Sequence, residues 1–400
     1  MHLVHILRSL QWECFAVQIK GSNATGACVQ PAAGVPFACA GCGTAPLVLG
    51  IGAARTSSSA TFAFLDKCAP HVNVGNSKLG GQSCCGSELY FFSNDAKAAG
   101  GVQVLAKFFS SPALNGTGNK PAYVAEKTPM YAGHALVPHR ARALLAPGGL
   151  ALVFTYRQPV DAHISLYLMW HARTANIPRF LDWSRPQLVA WDAYAECAPR
   201  AAQQAGFLGA ADFPISPRGA PLWVGVREIE EAVHRECWVP SKGGLGWVMD
   251  LLYWHNLPRW QRVLPDTPML CLSHDDSVAA PDAAGARLLE FLRLPPSAAS
   301  GGCNGSAALQ GKGRASAADR LLALAKNDNE VWEAKRQLRL LSEFFQGQYE
   351  FAQAYCSQQL PTPASQGWPS HASLTTFPAR PPAAVAAAAP PRPRPGVHVN

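Results

Sequence analysis

One stretch of the sequence places an arginine and four hydroxyl side chains between an apolar segment and a helical one. It runs from Pro46 to Leu65 and reads PLVLGIGAARTSSSATFAFL. A glycine permits a tight turn after a strand, and hydroxyls at a helix N-terminus can donate to anionic oxygens. A helix N-cap would explain one serine, but four consecutive hydroxyls beside an arginine favour an anion-binding loop. The residues that we assign to this loop are Gly52, Arg55, Thr56, Ser57, Ser58 and Ser59.

A second segment repeats this strand–turn–helix arrangement. Leu150 to Tyr167 reads LALVFTYRQPVDAHISLY, in which Arg157 ends the apolar run and Pro159 marks the turn. Ser165 lies in the helix that follows. An arginine at a strand end is often only the partner of a surface salt bridge, and that alternative stays open. Two such segments in one chain suggest a ligand that carries anions at both ends.

The elements that must position these residues alternate between strands and helices. Apolar, β-branched-rich runs predict the strands, and the segments that follow them predict helices. Such alternation is typical of a parallel sheet with right-handed crossovers, whose strand ends converge on one crevice. The strands are predicted at Leu47–Ile51, Ala122–Ala125, Leu150–Tyr156 and Met269–Leu272, and the helices at Ser59–Leu65, Ala135–Leu145, Asp161–Ala172 and Ala283–Leu292.

The composition divides the chain into a core domain and two flanking segments. A hydrophobic content of 48% is ample for a buried core. We predict one α/β domain at 45–360, a poorly ordered leader rich in Cys and Gly at 1–44, and a disordered tail rich in Pro and Ala at 361–400. Within the domain, Pro199 to Gly246 is predicted to form loops, and Glu330 to Tyr355 a long amphipathic helix or a pair of helices.

Taken together, these motifs resemble the sulfotransferases that use 3′-phosphoadenosine 5′-phosphosulfate, and most of all the Golgi enzymes that sulfate heparan and related polysaccharides. Two further segments carry the likeness: Ser87–Phe92 (SELYFF) and Glu126–Tyr131 (EKTPMY), the most literal match in the chain. The likeness extends from about Leu47 to Tyr355 and is weak from Arg173 to Gly243. It implies a single P-loop-like α/β domain with a central parallel sheet flanked by helices.

The resemblance assigns the first loop to the 5′-phosphosulfate. The family pattern is Gly-x-x-Lys-x-Gly-Thr-Thr; here Arg55 stands at the lysine, Ser57 at the second glycine, and Ser58 and Ser59 at the threonines. Arginine keeps a phosphate-binding cation, as a fork rather than a point charge. A Cβ on Ser57, however, would crowd the approach of the backbone to the phosphate.

The resemblance assigns the second segment to the 3′-phosphate. The family pattern Arg-x-Pro-x-x-Arg-x-x-Ser matches at Arg157 and Ser165, with Ala162 in place of the second arginine. Charge-assisted hydrogen bonds of this kind are worth roughly 1.5–3 kcal/mol each. Lys312, Gly313 and Arg314 are similar to a family loop that closes over the 3′-phosphate and the adenine, with a flexible basic loop as the equal alternative.

The resemblance also names the residues that carry the chemistry. It makes Glu88 the general base that removes the acceptor proton and Arg55 a cation that stabilises charge on the moving sulfuryl group. Lys127 neutralises charge on that group or holds an anionic acceptor, and Glu126 orders its loop. The alternatives are an exposed Glu88 and a solvated pair of Glu126 and Lys127. The implied activity is in-line transfer of a sulfuryl group to a hydroxyl or an amine of a carbohydrate, such as a polysaccharide, without a metal.

Two other classes of function stay open. A P-loop kinase or NTPase shares the strand–loop–helix geometry, but the sequence lacks GxxxxGK followed by Ser or Thr. A non-catalytic protein that binds the nucleotide is kept open by the departures from the family at Arg55, Ser57, Tyr90 and Ala162.

The cysteines and glycosylation sequons indicate an oxidising compartment. The chain has 12 cysteines, among them Cys39 and Cys42 as a local disulfide or free thiols, and sequons at Asn23, Asn115 and Asn304. Both favour the secretory pathway, and the resemblance favours the Golgi. No stretch approaches the ~18 apolar residues of a membrane span, so no membrane anchor is visible. The net charge of +8 fits anionic partners, without the basic, aromatic-interleaved run that would indicate nucleic acid.

Overall fold

The computed structural model describes the chain between residues 47 and 358, with gaps. The predicted leader and tail lie outside the described residues, as do the Lys312–Arg314 loop, Cys39, Cys42 and the three sequon asparagines. The boundaries at residues 44 and 361 therefore stay predictions. The described residues are 47–69, 72–75, 88–101, 104–105, 108–109, 123–145, 149–207, 221, 223–238, 245–294 and 316–358.

A parallel sheet lies at the centre of the described structure. Its strands are β1 (Leu47–Gly50), β2 (Val72–Val74), β3 (Tyr123–Lys127), β4 (Leu150–Tyr156) and β5 (Met269–Ser273). The order across the sheet is β2–β3–β1–β4–β5, and every neighbouring pair is parallel. Because β1 lies between β3 and β4, the residues that follow these three strands leave the sheet side by side at its carboxyl edge.

Helices connect the strands and cover both faces of the sheet. A 3₁₀ turn at Pro129–Tyr131 follows β3, and a π turn at His234–Trp238 lies farther along the chain. The helices are α1 (Ser58–Cys68), α2 (Asp95–Ala99), α3 (Val137–Leu144), α4 (Pro159–Trp170), α5 (Ile177–Gln204), α6 (Arg227–Val233), α7 (Gly246–Asp250), α8 (Tyr253–Val263), α9 (His274–Ala279), α10 (Pro281–Phe291), α11 (Ala317–Leu322), α12 (Asp328–Phe344) and α13 (Gln348–Gln358).

The core has one apolar layer on each side of the sheet. Alternate residues of β1 point to opposite faces, so Leu47 and Leu49 enter one layer and Val48 the other. Phe62 of α1 and Leu288 of α10 cover the face with Val48. All seven residues of β4 are buried, which explains why this strand is a continuous apolar run. The strand ends that carry the site are therefore fixed from both sides.

The predicted fold class, α/β with a central parallel sheet flanked by helices, is confirmed. All four predicted strands are present, with small shifts at their ends, and so are the four predicted helices. The strand β2 was not predicted, because it contains only three residues and shows little pattern. The segment Glu330–Tyr355 forms a pair of helices, which separate at Gly347 in a left-handed backbone conformation with φ 82°.

The prediction of loops from Pro199 to Gly246 is wrong in part. The helix α5 continues to Gln204, and α6 and the π turn lie within the predicted loop segment. Ile229 and Val233 are one helical turn apart and are buried in the core. Packing of this short apolar face stabilises α6. A disulfide between Cys197 and Cys237 joins the π turn to α5.

A second covalent link ties the end of the described chain to the sheet. Cys356 of α13 forms a disulfide with Cys271 of β5. The predicted presence of disulfides is therefore confirmed. Within the described ranges, no helix is long and apolar enough to cross a membrane.

Candidate active site

The loop between β1 and α1 turns tightly over the carboxyl edge of the sheet. A Cβ on Gly52 would lie 2.1 Å from Thr155 Oγ1, so only glycine fits beside β4 at this position. Arg55 and Ser57 adopt left-handed backbone conformations, with φ of 65° and 72°. The helix α1 then begins at Ser58, and the side chain of Ser57 does not cap it. The first N–H groups of α1 are therefore not used by that side chain and suit an anionic ligand.

A cavity of about 310 Å³ opens beside this loop. Residues from separate parts of the chain line it, because the strands bring their carboxyl ends together. They include Arg55 and Ser57–Ser59 of the loop, Glu88, Arg157, Trp170, Trp247 and His274.

The β3 side of the cavity holds a tight cluster around Glu88. Lys127 ends β3 and is buried, and its Nζ donates to Glu88 Oε1 and to Ser59 Oγ, both at 2.5 Å. The hydroxyl of Tyr90 donates to the other oxygen, Glu88 Oε2, at 2.8 Å. Burial raises the pKa of the Tyr90 hydroxyl, which therefore keeps its proton at neutral pH. Two donors thus hold the Glu88 carboxylate beside the start of α1, and its side chain is only 21% exposed.

Glu126 lies behind this cluster and does not reach the cavity. It is fully buried, and its Oε1 accepts hydrogen bonds from Thr128 at 2.8 Å and from Tyr131 at 2.9 Å. Burial raises the pKa of Glu126 to about 8, so the side chain is mainly protonated at neutral pH. Glu126 orders the Glu126–Tyr131 segment, and neither it nor Lys127 is solvated.

The β4 side of the cavity carries Arg157. Its backbone is fixed by the hydroxyl of Tyr253, which donates to Arg157 O at 2.8 Å and accepts from Arg157 N at 3.3 Å. The guanidinium lies 3.9 Å from the carboxylate of Asp161, beyond hydrogen-bond distance. Its buried Nε finds no hydrogen-bond partner in the described part of the chain. A buried, unpaired donor on a cation is a group that an anionic ligand can satisfy.

Arg55 joins the two anion-binding segments. Its Nε donates to Ser165 Oγ of α4 at 3.1 Å, across 110 positions in the sequence. Its Nη1 lies 3.5 Å from the sulfur of Met169 on the same helix. The resemblance assigned Arg55 and Ser165 to opposite ends of the ligand. The structure brings their side chains into contact.

His274 completes the loop from the β5 side. It is the first residue of α9, and its Nδ1 lies 2.5 Å from Ser57 Oγ. Burial, together with the positive charges of Arg157 and Arg55, lowers the pKa of His274 to about 4. The imidazole is therefore neutral at physiological pH. Sequence reasoning missed His274; the signal was its position just after the predicted strand Met269–Leu272, where strand ends converge.

Not every residue assigned from the sequence faces the cavity. The Thr56 hydroxyl is buried, donating to Ala53 O at 2.6 Å and lying 2.7 Å from Thr155 Oγ1, so it stabilises the loop from inside. Gly52 has a similar role, because it is pressed against β4. Ser165 does not line the cavity, and its hydroxyl accepts a hydrogen bond from Arg55, which does. Those that do line the cavity are Arg55, Ser57, Ser58, Ser59, Glu88 and Arg157.

Among the described residues, no cluster of three or more His, Cys, Asp or Glu side chains could hold a metal ion.

No family model matches the sequence, and no curated protein matches it. Among solved structures, the chain is similar to a sulfotransferase from Alicyclobacillus acidocaldarius, at 12% identity and a TM-score of 0.35. The match covers 74% of this chain and 95% of the other. So distant a likeness carries no weight, and the function has to be inferred from the cleft.

Proposed function

We propose that this protein transfers a sulfuryl group from 3′-phosphoadenosine 5′-phosphosulfate to a hydroxyl or an amine of a carbohydrate. The observation that supports this most directly is the division of one cavity into two chemical ends. A carboxylate held by Lys127 lies on the β3 side, at Glu88. Cations that suit phosphate lie toward α4 and β4, at Arg55 and Arg157.

The residues present fit a donor with two anionic ends. The left-handed loop at Arg55–Ser57 and the first turn of α1 line the cavity, where backbone N–H groups and hydroxyls favour a phosphate or a sulfate. The unpaired Nε of Arg157 suits a second phosphate. In our proposal the loop binds the 5′-phosphosulfate and Arg157 binds the 3′-phosphate, with Ser165 acting through Arg55, from which it accepts a hydrogen bond.

The chemical step requires a base and a means of stabilising charge. Glu88 removes the proton from the acceptor hydroxyl as the acceptor oxygen bonds to sulfur. The bond from sulfur to the 5′-phosphate oxygen breaks, and adenosine 3′,5′-bisphosphate leaves. Lys127 and Arg55 stabilise the negative charge on the sulfuryl and phosphate oxygens. Lys127 contacts both Glu88 and the first turn of α1, so it lies between the base and the donor loop.

A carbohydrate acceptor and a secretory location are part of the same proposal. The resemblance to the heparan enzymes supports the acceptor. The disulfides Cys197–Cys237 and Cys271–Cys356 support an oxidising compartment, because such bonds persist there and are rare in the cytosol.

The experiment combines transfer and binding measurements on the same proteins. The purified chain is incubated with donor carrying radioactive sulfate and with a panel of polysaccharides, and calorimetry measures the affinity for adenosine 3′,5′-bisphosphate. We expect Glu88→Gln to lower transfer by ~10²–10⁴-fold, because the amide keeps the shape but cannot accept the proton. Its affinity for the nucleotide should stay nearly constant. Glu196→Gln, at an exposed position of α5, is the matched control.

Each result separates the proposal from an alternative. Nucleotide binding without transfer to any acceptor would favour the non-catalytic binding protein. A parallel loss of transfer and nucleotide binding in Glu88→Gln would show that Glu88 is structural and that the base lies elsewhere. An amine acceptor, already partly neutral, should depend less on Glu88 than a hydroxyl. Absence of both binding and transfer in the unaltered chain would refute the proposal.

A further inference from the structure

Two tryptophans at the cavity have no role in the chemistry described above. Trp170 is the last residue of α4 and is 60% exposed, and Trp247 lies in α7. Their ring centroids are 5.8 Å apart and their planes meet at 53°, so they form an open wedge. Both line the cavity that also holds Glu88. Met169, beside Trp170, is also exposed, and an apolar patch of this kind beside a cleft marks a binding site.

Trp247 is tied to the side of the cavity where Glu88 lies, and Trp170, at the end of α4, faces it from the side that carries Arg55. Asp250, the last residue of α7, accepts a hydrogen bond from Gly133 N at 3.1 Å, just beyond the Pro129–Tyr131 turn that follows β3. Pro129 and Met130 of that turn line the same cavity. Arg157 and His274, by contrast, follow β4 and β5. The acceptor must lie beside its base, so Trp247 is placed to meet the acceptor.

We propose that Trp170 and Trp247 bind one pyranose ring of the carbohydrate acceptor, a ring whose hydroxyls are mainly equatorial. Such a ring has apolar C–H faces and a polar rim. The indole faces match the C–H faces of the sugar ring, while Glu88, Tyr90 and Ser59 in the same cavity supply polar partners for its hydroxyl rim. An aromatic side chain gives a large contact area at low cost in conformational entropy. This inference rests on the proposed function for the identity of the ligand.

The test measures binding of oligosaccharides to the full chain, with and without adenosine 3′,5′-bisphosphate. The probes are cellohexaose and an unsulfated heparosan hexasaccharide. We expect Trp170→Ala to weaken oligosaccharide binding about tenfold, the effect of one aromatic stacking contact. Trp170→Phe, which keeps a ring, should lose less. Saturation-transfer NMR should show that the ring protons of one sugar face receive the most magnetisation, which a purely structural tryptophan would not cause.

The chain offers a matched control in Trp332 of α12, which is 58% exposed and does not line the cavity. Trp332→Ala should bind both probes as the unaltered chain does, and nucleotide affinity should be unchanged in every variant. Unchanged oligosaccharide binding in Trp170→Ala overturns the inference, and so does binding of neither probe by the unaltered chain. A loss of nucleotide affinity alone would assign the wedge to the adenine and also overturn it. Tryptophan-dependent sugar binding in a chain that transfers no sulfuryl group would refute the proposed reaction and leave the sugar site standing.

Discussion

The hydrogen bond between Ser57 and His274 allows a direct test of how this chain builds its anion-binding loop. Ser57 has φ 72°, a left-handed backbone conformation that costs a residue other than glycine roughly 1–2 kcal/mol. One hydrogen bond contributes about 0.5–1.5 kcal/mol, which is similar in size. We infer that His274 offsets the strain at Ser57 and so holds the loop. Because the pKa of His274 is about 4, removing it at neutral pH removes a hydrogen bond and no charge.

The prediction compares His274→Ala in two backgrounds. In the unaltered chain, the loss of the hydrogen bond should lower the affinity for adenosine 3′,5′-bisphosphate about two- to tenfold. In a Ser57→Gly chain, glycine adopts the left-handed conformation without strain and has no hydroxyl to pair. There His274→Ala should change the affinity by less than about twofold, within the tolerance of additive effects.

Calorimetry on the four proteins at pH 7 gives the interaction energy directly. Equal losses in both backgrounds would show that His274 contacts the nucleotide itself. No loss in either background would show that the bond does not position the loop. Both results would refute the reasoning, whereas a loss confined to the chain with Ser57 supports it.

Further predictions concern Arg157, Arg55 and Glu126. Arg157→Ala should lower the affinity for adenosine 3′,5′-bisphosphate far more than the affinity for adenosine 5′-phosphate, as measured by calorimetry. Equal losses of affinity would show that Arg157 does not bind the 3′-phosphate. Arg55→Lys should keep substantial sulfuryl transfer and Arg55→Ala should abolish it; unchanged turnover in Arg55→Ala would make the loop only structural. The pKa of Glu126 is raised from 4.5 to about 8, so the stability that this residue contributes is complete below pH 4.5 and is lost as the pH rises to about 8. In this range the free energy of unfolding of the unaltered chain should fall by roughly 1.4 kcal/mol per pH unit because of Glu126, and Glu126→Gln should remove that fall. Chemical denaturation at several pH values measures both slopes, and equal slopes in the two proteins would contradict the prediction.

The sheet and its strand ends could be predicted from the sequence because the signals are local. Strand β4 is an uninterrupted apolar run, and its burial on both faces follows from that composition. The turn after β1 was readable from Gly52, whose close approach to Thr155 excludes any side chain. Parallel strands then bring their ends to one edge, which accounts for the shared cavity that Arg55 and Arg157 line.

The contacts within the site could not be predicted, because they join residues far apart in the sequence. The bond from Arg55 to Ser165 spans 110 positions, and the pair of Ser57 and His274 spans 217. No spacing pattern in the sequence indicates either contact, because the loops between the strands set the geometry. The loop prediction after Pro199 failed for a related reason: α6 is a single short helix whose stability comes from packing and not from its own propensity.

The position of Ala162 connects these contacts to the departures from the resembled family. Ala162 is 1% exposed and packs in the apolar core, so an arginine there would have to bury its charge in this structure. The residue is thus a packing position, and a second cation beside Arg157 on this side of the cavity has to come from another element. Arg55 meets that need, because its guanidinium reaches α4 at Ser165 while its backbone stays in the first loop. The arginine at position 55 and the alanine at position 162 are therefore consistent with each other, and a single cation connects the two anion-binding segments of the cleft.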